Sequence, residues 1–208
     1  MSVAHDHGGH GPYTVEDLHA REDEGRGLEL EDGWLIEVSA SSPHNWVSMH
    51  LWELLKAAAA NAEVFVALGG EWEISTPAGI RKPDLFVVPK SMARASIVNR
   101  DPVIIPGSEL LLVVEVISPG SGSERTDRVK KLSDYAAIGI PQYWIVEFTP
   151  LPKVQVFVLD QDGTSYWPGG VGTYRLDRTV EAGETLDAKI EAEKPFTVRF
   201  DPQTLTEF

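Results

Sequence analysis

Residues 80–90 read IRKPDLFVVPK, and residues 109–147 read ELLLVVEVISPGSGSERTDRVKKLSDYAAIGIPQYWIVE. Three apolar runs stand out: LFVV after Asp84, LLLVVEVIS around Glu115, and YWIVE from Tyr143. Runs of this length bounded by Pro and Gly have the pattern of strands buried on both faces. Between the second and third, residues 124–138 carry a helical pattern that Gly139 and Pro141 end. A carboxylate inside a buried run is costly unless its charge is compensated. Asp84 and Glu115 together therefore suggest a shared cation, most simply a hard metal ion with oxygen ligands. Asp84 after Pro83 also fits a residue that punctuates a strand start, and Glu115 also fits a buried pair with an arginine.

The helix pattern bears on the same site. At about 100° per residue, Val129, Leu132, Tyr135 and Ala136 share one apolar arc. Lys131 lies at its margin, Arg128 falls closer to it, and Lys130 lies nearly opposite, toward solvent. Lys131 or Arg128 is thus placed to reach a buried site at the sheet, and Lys130 is not. A snorkelling surface lysine fits Lys131 equally well.

Outward from this block, Thr14 and Asp17 read as a helix N-cap with an acidic first turn, ended by Gly25 and Gly27. The step Asp32-Gly33 between LELE and WLIEVS predicts a β-hairpin. Its acids Glu29, Glu31 and Glu37 are expected to face solvent. Ser42 is the expected cap of a long helix with Pro43 at its first position, and Trp46, Met49, Leu51, Trp52, Leu54 and Leu55 are its expected apolar face. Residues 63–79 read as one or two strands broken at Gly69-Gly70. Ile80–Pro89 reads as a strand, residues 90–108 as a connection with a helical middle, and Glu109–Ser118 as a second strand. Pro119, Gly120 and Gly122 read as a turn. KVQVFVLDQDGTSYW reads as a hairpin turned at Asp162-Gly163, with GTYRL and PFTVRF as later short strands. Residues 1–12, with His5, His7 and His10, read as a flexible tail, and residues 13–208 as one domain.

Composition narrows the function. Lys plus Arg number 18 and Asp plus Glu 32, a formal charge of −14, which argues against a broad nucleic-acid-binding face but leaves room for a local basic channel. The chain has no cysteine, so neither disulfides nor thiolate chemistry enter. No apolar run approaches the roughly 20 residues of a membrane span, and the N-terminus carries no secretory pattern; the expected location is the cytoplasm. Six Trp residues would support a homodimer if some of them are exposed.

Pro83-Asp84, Glu115-Val116-Ile117-Ser118-Pro119, Asp127-x-x-x-Lys131-Leu132-x-x-Tyr135, Gly139 and Tyr143-Trp144-Ile145-Val146 together resemble the Uma-two family of the restriction-endonuclease-like, PD-(D/E)XK superfamily. LELEDGWLIEVSASSPHN resembles that family's N-terminal hairpin and helix start, so the likeness runs from about residue 14 to 190. It implies an α/β fold in which a mixed central sheet is flanked by helices, with extra β-hairpins. It implies magnesium or manganese held by Asp84 and Glu115, with Glu29, the match of the hairpin glutamate, as a further acidic ligand. The superfamily's general lysine position, two after the glutamate, is Ile117 here. The family carries its lysine on the next helix, and Lys131 matches it. Asp127, one turn before, would hold Lys131, although a surface ion pair fits it too. His44 matches the helix-start histidine and Tyr135 completes the helix motif. The activity implied is metal-dependent endonuclease cleavage of DNA. A non-catalytic interaction domain retaining the fold, and a hydrolase of smaller phosphoesters, remain as alternatives.

Overall fold

The computed structural model describes residues 11–21, 27–38, 40–69, 72–117, 124–165 and 167–207. A short helix α1 (Val15–His19) carries the expected capping box of Thr14 and Asp17. The hairpin β1 (Leu28–Glu31) and β2 (Trp34–Glu37) follows. Its turn places both Asp32 and Gly33 at positive φ, the type I′ geometry that suits the strand twist. Helix α2 (Ser42–Ala58) is capped one residue earlier than expected: Ser41 accepts from the His44 N–H, and Pro43 sits in the first turn. Its buried face is Val47, Ser48, Leu51 and Leu55, with Met49 left exposed.

Strands β3 (Val64–Leu68), β4 (Ile74–Thr76), β5 (Gly79–Arg81) and β6 (Leu85–Pro89) come next. Ile80–Pro89 is therefore two strands in different sheets, parted at Lys82–Asp84, because Pro83 has no N–H to continue a ladder. Gly79 stands at φ +135, and a Cβ there would meet the Leu30 carbonyl oxygen at 2.3 Å. The close approach of β5 to β1 requires glycine at this position. Helix α3 (Lys90–Arg94) starts directly after β6 and runs into a π-helical turn, Ala95–Asn99. Then follow β7 (Ile105–Pro106), β8 (Leu112–Ile117), a π-helical turn Thr126–Lys130 leading into α4 (Lys131–Ala137), and β9 (Gln142–Glu147). The expected turn at Pro119, Gly120 and Gly122 lies outside the described residues, as do Gly25, Gly70 and the histidines of the tail.

After β9 come β10 (Lys153–Asp160), β11 (Thr173–Glu181), β12 (Leu186–Ile190) and β13 (Phe196–Phe200). The partner of β10 is not the segment just after Asp162-Gly163 but Thr173–Glu181, beyond a longer connection. The main sheet has the order β11-β10-β9-β8-β6-β3, with β8 and β9 parallel and its other pairs antiparallel. A smaller sheet has the order β2-β1-β5-β4-β7, and β12-β13 forms a separate hairpin. Alternation along the main sheet splits its core in two. Val87, Val114, Val116 and Trp144 pack with α2 and the β12-β13 hairpin. Phe86, Val113, Ile117, Tyr143 and Ile145 pack with Tyr135 of α4. The protein is thus a mixed α/β fold with its central sheet between helices. No helix among the described residues is long and apolar enough to cross a membrane.

Candidate active site

Asp84 and Glu115 meet across neighbouring strands. Leu85 of β6 pairs with Val114 of β8; continued by one residue, the same antiparallel register sets Asp84 opposite Glu115. Two contacts fix Asp84: its Oδ2 accepts from the Val116 N–H at 2.7 Å and pairs with His44 Nε2 at 3.1 Å. His44 reaches it from the first turn of α2. Burial alone would lower the His44 pKa, but the Asp84 hydrogen bond and charge outweigh this and raise it.

Glu115 is buried, and its Oε1 accepts from the Tyr135 hydroxyl at 2.9 Å and from Lys131 Nζ at 3.0 Å. Lys131 is buried too. Its ammonium also lies 3.0 Å from Asp127 Oδ1 and 3.4 Å from Glu29 Oε1. Burial pushes Glu115 well above the usual carboxylate range; Lys131 opposes this, and the charges of Asp84, Asp127 and Glu29 add to it. Asp127 is raised by burial as well, against the pull of Lys131. For Lys131, burial would lower the pKa, yet Glu115, Glu29 and Asp127 together hold it well above the ordinary lysine value. The lysine is therefore a permanent cation among acids.

A second buried cation ties the small sheet to this site. Arg81 is 0% exposed. It donates to Glu31 Oε2 at 2.6 Å, to Asp134 Oδ2 of α4 at 2.6 Å and to Glu29 Oε2 at 3.4 Å. Glu29 Oε1 also accepts from the Lys82 N–H at 2.8 Å, and the Trp167 indole donates to Asp134 Oδ1 at 3.2 Å. The register Leu30↔Ile80 and Glu31↔Gly79 places Glu29 and Glu31 on the face that looks toward α4. These two acids are buried at 2% and 6% exposure, not solvated as expected, because α4 closes over them. Sequence reasoning missed Arg81, Glu31 and Asp134. Only an arginine beside Pro83-Asp84 and a buried-face acid on α4 hinted at them.

Three residues depart from the helical wheel: Val129, Arg128 and Lys130, the last of which reaches buried Glu31 although the wheel turns it toward solvent. Val129, expected on the apolar arc, is 60% exposed. The reason is the π-helical turn over Thr126–Lys130, whose extra residue rotates this segment relative to an α-helical wheel. Asp127, by contrast, is buried against Lys131, and the Tyr143 hydroxyl anchors its backbone carbonyl at 2.8 Å. Arg128 does not reach the carboxylates; it pairs with Glu124 and Glu147. Lys130 keeps an exposed stem but ion-pairs with Glu31.

Five carboxylates (Glu29, Glu31, Glu115, Asp127 and Asp134) thus pair with Arg81, Lys130 and Lys131, and a sixth, Asp84, with His44. The surplus negative charge and the hard oxygen donors suit a divalent cation. Among the described residues no group of three His, Asp or Glu could hold a metal ion. Glu29 is engaged by Lys82, Arg81 and Lys131 rather than grouped with Asp84 and Glu115. The donor set fits an ion that takes one or two protein carboxylates and fills its remaining positions with water and phosphate oxygens, as magnesium does.

The family model described as "Uma2: Putative restriction endonuclease" matches residues 15–193. Among solved structures, one described as "a putative nuclease belonging to DUF820 from Anabaena variabilis" aligns with a TM-score of 0.56 at 15% identity, covering 94% of this chain and 98% of that one. At that identity the likeness concerns the fold, which is restriction-endonuclease-like. No curated protein matches the chain.

Proposed function

The chain belongs to the Uma2 family of restriction-endonuclease-like proteins, and from that premise we propose that it is a metal-dependent endonuclease hydrolysing phosphodiester bonds in DNA. One observation carries the reading. Asp84 sits just before β6, whose Leu85 pairs with Val114 beside Glu115, its carboxylate accepts from the Val116 N–H, and the buried Lys131 ammonium lies on Glu115 at 3.0 Å.

Asp84 and Glu115 are the residues that would hold magnesium or manganese. Such an ion, when bound, lowers the pKa of a water and offsets charge on phosphate oxygens. The chain's own residues supply the rest. The Val116 N–H and His44 fix the Asp84 carboxylate, and the Tyr135 hydroxyl fixes Glu115. Asp127 and Glu29 hold Lys131 in one position and keep it charged. Lys131 orients the attacking water and neutralises charge that builds on the phosphate as the water oxygen bonds to phosphorus and the P–O ester bond breaks. The Glu29 carboxylate serves as a positioning group for Lys131.

Plasmid and single-stranded DNA are incubated with the protein and magnesium or manganese, comparing wild type with Asp84→Ala. Metal-dependent cleavage that the substitution abolishes is the expected result. Cleavage unchanged in the variant points to a contaminating nuclease. Absence of both cleavage and calorimetric metal binding in the wild type sinks the reading and favours an interaction domain that keeps the fold.

A further inference from the structure

The end of the sheet opposite β11 carries a groove that the active-site reading does not use. Strand β3 is the free edge of the main sheet, and α2 packs beside it. Between and around them lies a cavity of about 540 Å³ whose lining includes Trp52, Lys56, Phe65, Leu68, Trp72 and Lys90. Among the described residues none that lines it is acidic, although the chain carries 32 Asp and Glu. Glu53, Glu63 and Glu73 adjoin lining residues in sequence but do not line the groove.

Its two lysines are also unlike most cations of this protein. Elsewhere the cations are largely spent on acids: Arg81, Lys130, Lys131, Arg128, Lys153, Arg178 and Arg199 all pair with carboxylates. Lys56 and Lys90 are exposed, and among the described residues no carboxylate pairs with either. Lys56 Nζ lies over the Trp52 ring, 4.3 Å from its centroid, and the Trp52 indole donates to the Val66 carbonyl at 2.9 Å, which fixes the ring. Trp72, half-buried, stands edge-on to Phe65 at 5.6 Å and to Phe86 at 6.1 Å. The groove is therefore a preorganised aromatic surface with two free ammonium groups on a chain of net charge −14.

Both walls of the groove lead to Asp84. The first turn of α2 carries His44, which touches Asp84, and the helix reaches Lys56 twelve residues on, about 18 Å at the α-helical rise. Strand β3 ends at Leu68, whose pair is Leu85, and the Gly69 N–H donates to the Asp84 carbonyl at 2.6 Å. Cations and aromatic faces on walls that lead to Asp84 match an anionic chain that bears planar rings. At about 3.4 Å per nucleotide the span is roughly five nucleotides. A duplex hides its base faces, whereas a single strand offers bases to stack on indole rings and phosphates to pair with lysines.

Resting on the nuclease reading, we propose that the groove between α2 and β3 is the track for a single-stranded stretch of the nucleic acid substrate, with Lys56 and Lys90 pairing its phosphates and Trp72 stacking a base. It answers how a strongly acidic protein holds a polyanion: through one local stripe rather than a basic face.

Fluorescence anisotropy of the full chain in EDTA tests this with a labelled oligo-dT of about a dozen nucleotides and with a duplex of the same length. The expected result is single-strand binding that Lys56→Glu/Lys90→Glu weakens about tenfold or more, with the salt slope reduced by about 1.4, the loss of two phosphate contacts on a single strand. Trp72→Ala should weaken binding with the salt slope unchanged. Both variants are first checked for a wild-type thermal melt, and Lys56→Gln/Lys90→Gln replaces any charge reversal that melts early. Unchanged affinity in the lysine variants, tighter binding of the duplex, no binding at all, or equal competition by polyglutamate each overturns the proposal. Cleavage assays with magnesium separate it from its premise. Wild type that binds through the groove but cleaves nothing refutes the nuclease reading alone. Wild type that cleaves single strands with a KM indifferent to the lysine and tryptophan variants refutes the groove alone.

Discussion

Replacing Lys131 with methionine removes one charge and little volume, and it exposes what that charge does. The ammonium lies 3.0 Å from Glu115, 3.0 Å from Asp127 and 3.4 Å from Glu29. All four side chains are buried. Removing the one cation leaves uncompensated carboxylates in a low-dielectric site, for which the expected loss is about 3–5 kcal/mol. In a domain of this size each kcal/mol corresponds to roughly 2–4 °C in melting temperature, so the melt should fall by roughly 6–20 °C at pH 7 in EDTA. The loss should shrink toward pH 5. Glu115 and Asp127 already have raised pKa values from burial; without Lys131 they rise further and take up protons, which discharges the repulsion. A divalent cation should restore part of the stability, because it binds the folded acids and not the unfolded chain. Cleavage should stay lost, because the cation does not replace the lysine. Calorimetry across pH with and without magnesium makes the comparison. A melt within about 2 °C of wild type at pH 7, or a deficit that grows on acidification, refutes the account of Lys131 as the counter-charge of the site.

Two further predictions concern the surrounding charges. In metal-free buffer the stability should fall as pH rises above the usual carboxylate range. Glu115 and Asp127 have raised folded pKa values, so the native state binds more protons than the unfolded one and gains stability on the acid side. His44, also raised, adds a loss of the same sign as pH passes above its ordinary value. Glu115→Gln should flatten the melting temperature between about pH 5 and 7, and an unaltered slope counts against the assignment. Arg81→Met leaves Glu31, Asp134 and Glu29 without their shared guanidinium and should cost about 3–5 kcal/mol, read as a denaturation midpoint shift at constant m-value. A loss below about 1 kcal/mol would mean that the three acids find other partners.

The proposed chemistry and this charge architecture are linked. The surplus of buried carboxylates is tolerable only because Arg81 and Lys131 are locked between the small sheet, the main sheet and α4. A site that keeps more acids than cations has unmet demand for positive charge. The β6–β8 register concentrates that demand at Asp84 and Glu115. Among the described residues, two lysines without a carboxylate partner line the β3 edge.

Much of the local structure was legible in the sequence. The Asp32-Gly33 step specified a hairpin, Thr14 and Asp17 a helix N-cap with an acidic first turn, Gly139 a helix end, and the runs after Asp84, around Glu115 and from Tyr143 three strands. Each of these is a short-range instruction: a positive φ, a cap three residues away, or an apolar run whose length fits a strand. Two carboxylates, Glu115 buried and Asp84 part-exposed, and a helix lysine could be singled out because a charge in or beside an apolar run is anomalous wherever the run packs. The sequence did not reveal how those anomalies are resolved. Arg81 meets Asp134 53 residues away and Lys130 meets Glu31 99 residues away, and no local period encodes a pairing across two sheets and a helix. The burial of Glu29 and Glu31 depends on α4 lying over the hairpin, and the exposure of Val129 on a π-helical turn that an α-helical wheel does not represent. Patterning thus determined which elements form and where the costly charges lie, because those depend on neighbours in the chain. Which cation answers each acid, and which edge of the sheet remains open, was decided by packing, because ion pairs and grooves are made by residues that only the fold brings together.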